Sequence, residues 1–438
     1  MTLSPYQTAV DLVKVRATLT GPDFGQNEEA IVDLTPDQKT ASFKGLGFKT
    51  ADVRIEGFNE DGRLVAFGRA SGVALGTTPS VDVPFRRNLA YVTHKKNDNE
   101  PKAQSTVYVF DVATHTYASA VQLPKMGGVG RGVSAKGGDG ILVNFDVATT
   151  GFLGFLSADD NSWTTVQLAS AQDLTLGATG NNIVVSAGGG RVSIVDLSKQ
   201  MVLKDFPSGG LVLDGAISDD GRRAVFVVDV DPGMFIVDLS DACLSTLDQG
   251  RCILNKMAIP QAGGVALAGD GHTVYLTSRG TKNCGLIDLS TLTPTTLNSS
   301  AFPTTVGAAA YSDAMSAVWA LEVGPNGAPH ILGFGTAAPN GPDCTACAGQ
   351  PLGFDKAINT LYNPTDIAVD PSGARMLVVE AGTSTASSGL TVIETMLGAD
   401  AVGSTGIYPV DPNDATTQNG LIVNARYQPA HIGILYGR

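Results

Sequence analysis

Charge is scarce in this sequence. Asp, Glu, Lys and Arg make up 16% of its 438 residues, where typical globular chains carry about 25%. The basic side is the poorer one: 29 Lys and Arg face 42 Asp and Glu, for a formal net charge of −13. Phosphate backbones are held by clustered Lys and Arg. The balance therefore excludes nucleic acid as a partner and argues equally against anionic membrane surfaces. Cations, a basic partner and plain solubility remain compatible with it. Apolar runs are short as well. None approaches the ~18 residues that a membrane-crossing helix needs. The segment after Met1 is polar and mixed, without a signal-peptide pattern. Met1 as a native start and Met1 in place of an export signal both stay open.

Catalytic signatures are missing too. There is no Walker-type phosphate loop, no His-Glu-x-x-His and no Gly-x-Ser-x-Gly. Cys344 and Cys347 are followed by Ala348, so the His of a haem-attachment motif is absent. One Cys-x-x-Cys supplies two of the four ligands of a structural zinc site. Gly188-Gly189-Gly190 lies between strands with no helix after it, which excludes a dinucleotide loop. Trp163 and Trp319 are too few and too far apart for an aromatic platform. Of the five Cys, Cys243 and Cys252 flank a short polar loop and are candidates for a hairpin staple. Cys344 and Cys347 are candidates for closing a small loop, and Cys284 is left single. Disulfides fit an exported chain, and buried or loop thiols fit a cytoplasmic one.

What the chain does have is Gly, 52 residues of it, and many short apolar stretches. Residues 1–86 read as a separate unit. Val13, Val15, Ala17 and Leu19 alternate with polar neighbours, as do Val53 and Ile55. Period two marks strands with one buried face. Asn59-Glu60-Asp61-Gly62 is a turn into the partner strand Leu64-Val65-Ala66-Phe67, and Val81, Val83 and Phe85 make a further strand. Several strands in so short a segment predict a small β-sandwich.

Residues 87–438 repeat themselves. An apolar strand ending in Asp-Leu-Ser, or a near variant, places Asp at 111, 196, 238 and 288, with Glu394 in a weaker copy. The closest copies lie about 40 to 50 residues apart, the period of a four-stranded propeller blade; the wider gaps imply one degenerate blade each. A second phrase joins two strands by a tight turn: Asp219-Asp220-Gly221, Gly269-Asp270-Gly271 and Asp370-Pro371-Ser372-Gly373. Asp-Gly and Ser-Gly supply the positive φ that hairpins demand, so these acidic turns are hairpin chemistry before they are calcium loops. Asp229-Val230-Asp231-Pro232-Gly233 lacks the remaining EF-hand ligands and reads as a turn.

Seven first strands are predicted, beginning near Arg131, Asp173, Asp214, Gly263, Val306, Asp366 and His431. The last one ends with the chain at Arg438. Its missing second strand is found at the other end, in Asn88 to His94, followed by Val107 to Asp111. The C-terminal strand is therefore expected innermost in the first blade, a closure that removes exposed sheet edges. The expected fold is all-β: a seven-bladed propeller closed by its C-terminal strand and preceded by the sandwich.

Tyr91-Val92-Thr93-His94, its echo Tyr275-Leu276-Thr277-Ser278 and the Asp-Pro-Ser-Gly turn resemble the YVTN-type β-propeller repeats of bacterial and archaeal surface and secreted proteins. They also look like the repeats of lactonase-type and quinoprotein-like propellers. The first unit resembles the immunoglobulin-like or transthyretin-like modules that precede larger domains in bacterial surface proteins. The resemblance covers residues 87–438, and it implies architecture. The fourth YVTN position is His94 here, and blades two and six are degenerate.

Equivalent positions on successive blades form a ring. Arg131, Asp173, Asp214, Asp366 and His431 are its ionisable members and the candidate ligand-binding residues of the channel mouth. The loops expected on the same face add Asp146, Asp229, Asp231, Arg279, Lys282, Glu322 and Glu380. Converging carboxylates suit a hard cation, which makes Asp173, Asp214 and Asp366 candidate Ca²⁺ ligands. A metal with His431 as proton acceptor would suit ester or lactone hydrolysis. The structural reading has the same residues tie neighbouring blades or meet channel water. The leading expectation is a non-enzymatic, exported or cell-surface protein that presents a propeller face to a protein or surface ligand. A metal-assisted hydrolase is the alternative.

Overall fold

The computed structural model describes residues 12–20, 30–38, 40–44, 50–75, 80–83, 85–94, 105–178, 180–230, 233–245, 252–258, 262–268, 270–278, 283–298, 306–312, 317–323, 329–335, 351–356, 364–370, 375–380, 389–395, 402–408, 417–418, 421–422 and 429–435. Within them the chain is nearly all β. The first unit is a five-stranded antiparallel sheet: β1 (Lys14–Thr20), β2 (Ala30–Leu34), β3 (Thr50–Phe58), β4 (Leu64–Ala74) and β5 (Arg86–Arg87), in the order β2-β1-β3-β4-β5. The second layer of the expected sandwich is not among the described residues. One face of the sheet carries Leu19, Ala51 and Val53, covered by Phe43, Leu75 and Val83. Leu64 to Gly68 of β4 are buried without alternation, so the sheet is covered on its other face as well.

The rest is a series of four-stranded antiparallel units. The last strand of the chain, Pro429–Leu435, pairs with Leu89–His94, matching Ile432 with Val92 and Ile434 with Ala90. The first sheet is thus built from both ends of the sequence, with the C-terminal strand at its inner edge. The second and third units share one eight-stranded sheet, because Gly177 makes a parallel bridge to Lys136. Counting its halves separately, seven four-stranded units are described. Their inner strands, Val129–Lys136, Leu174–Gly177, Val212–Ile217, Ala262–Leu267, Val306–Ser312, Pro364–Val369 and Pro429–Leu435, touch in turn, and the last touches the first. The architecture is all-β and propeller-like.

Alternation along each strand explains the stacking. In the second strand of the first sheet, Leu89 and Tyr91 join a cluster with Val133 and Ile141 of the second sheet. Ala90 and Val92 face the other way and join Leu377 and Val379 of the seventh. Successive side chains point to opposite faces, so a strand buried on both faces reads as a continuous apolar run, such as Ala224 to Val228. Seven apolar clusters each bridge two neighbouring sheets, one in every space around the ring.

The recurrent acids hold turns. Asp196 Oδ1 accepts hydrogen bonds from Ser198 Oγ at 2.6 Å and the Lys199 amide at 3.1 Å. Asp288 Oδ1 does the same with Ser290 Oγ and its amide, at 2.6 and 2.7 Å. These are turns closed by the side chain of their first residue. Burial alone would raise the Asp196 carboxyl, but the Ser198 and Lys199 hydrogen bonds and the Lys199 charge outweigh it and lower it to about 2. The hairpin turns follow the same chemistry. Asp270 Oδ1 accepts from the Thr273 amide at 2.7 Å, and Gly271 takes φ +75°, a conformation that glycine adopts without strain. Cys243 and Cys252 form a disulfide across a separation of nine residues, both buried. Cys344 and Cys347 lie outside the described residues.

Candidate functional site

The mouth of the ring is built by irregular strand starts. Register shifts fall between Val212 and Asp214, between Pro364 and Asp366, and between Pro429 and His431. Such bulges turn a side chain away from the regular alternation. Asp214 then reaches across the seam: its Oδ1 accepts from the Gly215 amide at 2.8 Å and its Oδ2 from the Val265 amide of the next sheet, also at 2.8 Å. Asp366 repeats the arrangement. It accepts from the Ile367 amide at 2.9 Å and from the Ile432 amide of the first sheet at 3.1 Å.

Arg131 bridges the second and third units by a different route. Its Nε and Nη2 donate to the two oxygens of Asp146 at 3.1 and 3.3 Å, and its Nη1 donates to Asp173 at 3.0 Å. Burial alone would lower the guanidinium pKa; the ion pairs with Asp146 and Asp173 overcome this and raise it above its usual value. Neutral side chains reinforce the seams. Thr93 Oγ1 donates to the Arg131 carbonyl at 2.5 Å, and Asn144 Nδ2 to the Leu174 carbonyl at 2.8 Å.

Asp173, Asp214 and Asp366 line a cavity of about 240 Å³ at this end of the channel. Among the described residues no group of three or more His, Cys, Asp or Glu is placed to hold a metal ion. His431 lies on the described strand opposite Thr93, but its side chain is outside the described part, as are those of Glu322 and Glu380. Asp231, Arg279 and Lys282 are outside it altogether. Asp229 accepts from the Leu211 amide at 2.7 Å. The mouth can thus present carboxylate edges and one fixed guanidinium, all engaged in holding sheets and loops together.

A second cavity, of about 440 Å³, lies further along the same inner strands. Ala135, Gly177, Ala216, Ala266, Ala310 and Ile434, one from each of six four-stranded units, contribute to its wall. Arg69 and Ala70 of β4 line it too, so the N-terminal sheet faces the end of the channel opposite the mouth. Its attachment there is polar and partly buried. Arg87 and Asp111 form an ion pair at 2.6 Å with both side chains about 10% exposed. Arg63 Nη1 donates to the Ala113 carbonyl at 3.3 Å, and Arg375 Nη1 to the Leu64 carbonyl at 3.4 Å. Arg86 meets Asp159 at 2.7 Å. Asn88 alone separates β5 from the first ring strand. Sequence reasoning missed Arg69, because nothing in its neighbourhood repeats in the blades. The one available signal was a charged residue within the otherwise apolar and small stretch from Leu64 to Ala74.

No family model matches the sequence, and no curated protein matches it. Solved structures do. A functionally unknown protein from Desulfotomaculum acetoxidans aligns with a TM-score of 0.56 at 11% identity, over 80% of this chain and 100% of that one. Two putative 6-phosphogluconolactonases are similar. One, from Bacteroides uniformis, has a TM-score of 0.55 at 12% identity, covering 80% and 99% of the two chains. The other, from Bacteroides fragilis, has a TM-score of 0.52 at 11% identity, covering 80% and 97%. A fifth of this chain therefore has no counterpart in them. At such identities the likeness shows the fold and leaves function to the site.

Proposed function

We propose that this chain is a non-enzymatic binding protein, exported or displayed at a cell surface, in which a seven-bladed propeller presents a rigid face to a protein or surface ligand. The observation that carries the reading is the engagement of the mouth charges. Asp214 and Asp366 each accept an amide of the next sheet, and Arg131 joins Asp146 to Asp173. A general acid or base has to exchange a proton with a substrate, and these groups serve the seams instead. The seven four-stranded units and the cycle of inner-strand contacts support the blade count. The Cys243–Cys252 disulfide supports an oxidising compartment, since such bonds are rare where thiols are kept reduced.

A second reading is favoured by the names of the two Bacteroides proteins. In it, Asp173, Asp214 and Asp366 would hold a Ca²⁺ ion that polarises a lactone or ester, and His431 would accept the proton of the attacking water. The deciding experiment incubates the full chain with a panel of lactones and aryl esters, with and without Ca²⁺. The binding-protein reading expects no turnover above buffer. Turnover that needs Ca²⁺ and is lost in Asp173→Asn overturns it in favour of the hydrolase. Asp173 suits this purpose because its side chain is 53% exposed and ties no backbone amide among the described contacts.

A further inference from the structure

The two ends of the channel differ in charge. The described lining of the larger cavity has one guanidinium, Arg69, and one carboxylate, Asp219. The described lining of the mouth cavity has three carboxylates, Asp173, Asp214 and Asp366, and no Lys or Arg. Arg131 stands beside it and is shared between Asp146 and Asp173. Asp214 and Asp366 accept amides of two sheets each. An amide is an uncharged donor, so these bonds fix the carboxylates in place without cancelling their charge. Asp173 is the open member, with a side chain 53% exposed. Thr175 gives an independent sign of a guest. It belongs to the same lining, is 1% exposed, and its Oγ1 has no hydrogen-bond partner. A buried hydroxyl without a partner calls for one from outside the chain.

We propose that the mouth cavity receives a lysine side chain of a protein partner. The volume of about 240 Å³ is below the ~300–1,000 Å³ of drug-sized sites and suits a single side chain. The wall is mixed, with Val133, Leu174, Val212 and Leu213 beside the acids. A lysine needs such a wall, because its stem is apolar and its tip is charged. Its compact ammonium responds to the summed field of several carboxylates. A guanidinium favours one free carboxylate edge, and Asp173 Oδ1 is already taken by Arg131. Two exposed apolar side chains at the same end favour a protein over a free amine. Met126, in the loop that enters the inner strand Val129–Lys136, is 98% exposed, and Leu211, next to Val212–Ile217, is 55% exposed. The net charge of −13 draws a basic partner from a distance. The proposal rests on the binding-protein reading and deepens it by naming the chemistry of the partner.

The test is calorimetric titration of the full chain with n-butylammonium, which mimics the lysine side chain, using n-butanol as the uncharged counterpart. Saturable butylammonium binding is expected, with butanol weaker by about tenfold or more, the equivalent of one charged hydrogen bond. Asp173→Asn is expected to lose about tenfold in butylammonium affinity. Arg131→Met breaks the same ion pair but removes a positive charge, so it should bind butylammonium at least as well as the wild type. No saturable binding overturns the proposal, as does equal affinity for butanol. Equal loss in Asp173→Asn and Arg131→Met also overturns it, by assigning Asp173 a structural role. Tighter binding of n-propylguanidinium than of butylammonium overturns the choice of lysine. None of these outcomes bears on turnover, which tests the wider reading separately.

Discussion

The ring and the N-terminal sheet are held by different forces. Between the units the contact is built on seven apolar clusters, one in each space, filled by alternate residues of the same strands, with hydrogen bonds such as those of Asp214 and Asp366 along the seams. Between the sheet and the ring it includes guanidinium groups, with Arg63, Arg86, Arg87 and Arg375 all reaching across. Blade faces can interdigitate because every blade offers the same alternation. The sheet meets turns of the first, second and seventh units, where backbone carbonyls and acids such as Ala113 O, Asp111 and Asp159 supply its partners. Asp111 belongs to both systems. Its Oδ2 takes Arg87, and its Oδ1 accepts from the amides of Ala113 and Thr114 in the blade's own turn.

Breaking each region should therefore look different. The largest effect is expected inside the ring. Phe226 is fully buried and stacks on Phe235 with centroids 5.3 Å apart. Phe226→Ala should cost about 3–5 kcal/mol in urea unfolding, with no dependence on salt. A loss below 1 kcal/mol would mean that the cluster is loosely packed. At the junction, Arg87→Met should cost about 3 kcal/mol, the low end for removing one partner of a buried pair, because both side chains keep a tenth of their surface in solvent. Limited proteolysis should then release the N-terminal sheet from an intact ring. A single, unchanged cleavage pattern would show that the ion pair does not hold the sheet in place.

The disulfide sharpens the picture within the fourth blade. Replacing Cys243 and Cys252 together by Ser should cost about 2–3 kcal/mol, the loop-closure entropy of so short a loop. The melting temperature should shift equally on reduction of the wild type. At the mouth, Asp366→Asn should cost about 1–2 kcal/mol, since an amide can keep one of the two acceptor roles. Asp214→Asn has the same local chemistry, but its seam joins sheets that are consecutive in sequence. Asp366 holds the C-terminal strand, so hydrogen exchange at Ile432 should rise in Asp366→Asn with no counterpart at Val265 in Asp214→Asn. Equal exchange at both would remove the distinction.

The smallest effect is that of pH. Asp196 titrates at about 2 in the folded chain, and Asp288 is also lowered: burial opposes this, while bonds from Ser290 and Thr291 and the charge of His272 bring it about. A depressed folded pKa contributes stability that is present above the ordinary carboxylate range and is lost as pH falls through the folded value. The ring should accordingly lose stability between about pH 4 and pH 2. In Asp196→Asn that slope should be shallower in acid melts; an unchanged slope would show that the repeat acids are not its source.

Much of the ring was legible because repetition amplifies a weak signal. The Asp-Leu-Ser phrase recurs because the same turn must be closed at the same place, as the contacts of Asp196, Asp238 and Asp288 bear out. The truncated last copy pointed to its partner at Leu89–His94, because a lone inner strand leaves its amides unpaired. The mouth residues were legible as a set of positions but not as a set of bonds. Whether a ring carboxylate meets a guanidinium or an amide depends on how its strand start aims it: Asp214 and Asp366, each beside a register shift, accept amides of the next sheet, whereas Asp173 meets Arg131.

The sequence by itself determined the strands, their period, their turns and the closure of the first sheet by the last strand. These are local or repeated features, and alternation with turn chemistry specifies them residue by residue. Tertiary structure alone decided that the second and third units merge at Gly177 and Lys136, that the mouth acids tie seams, and that Arg69 joins the channel wall. Each of these depends on contacts between segments whose sequences carry no trace of one another, because a hydrogen bond or an ion pair across a seam constrains geometry and leaves no period in the chain.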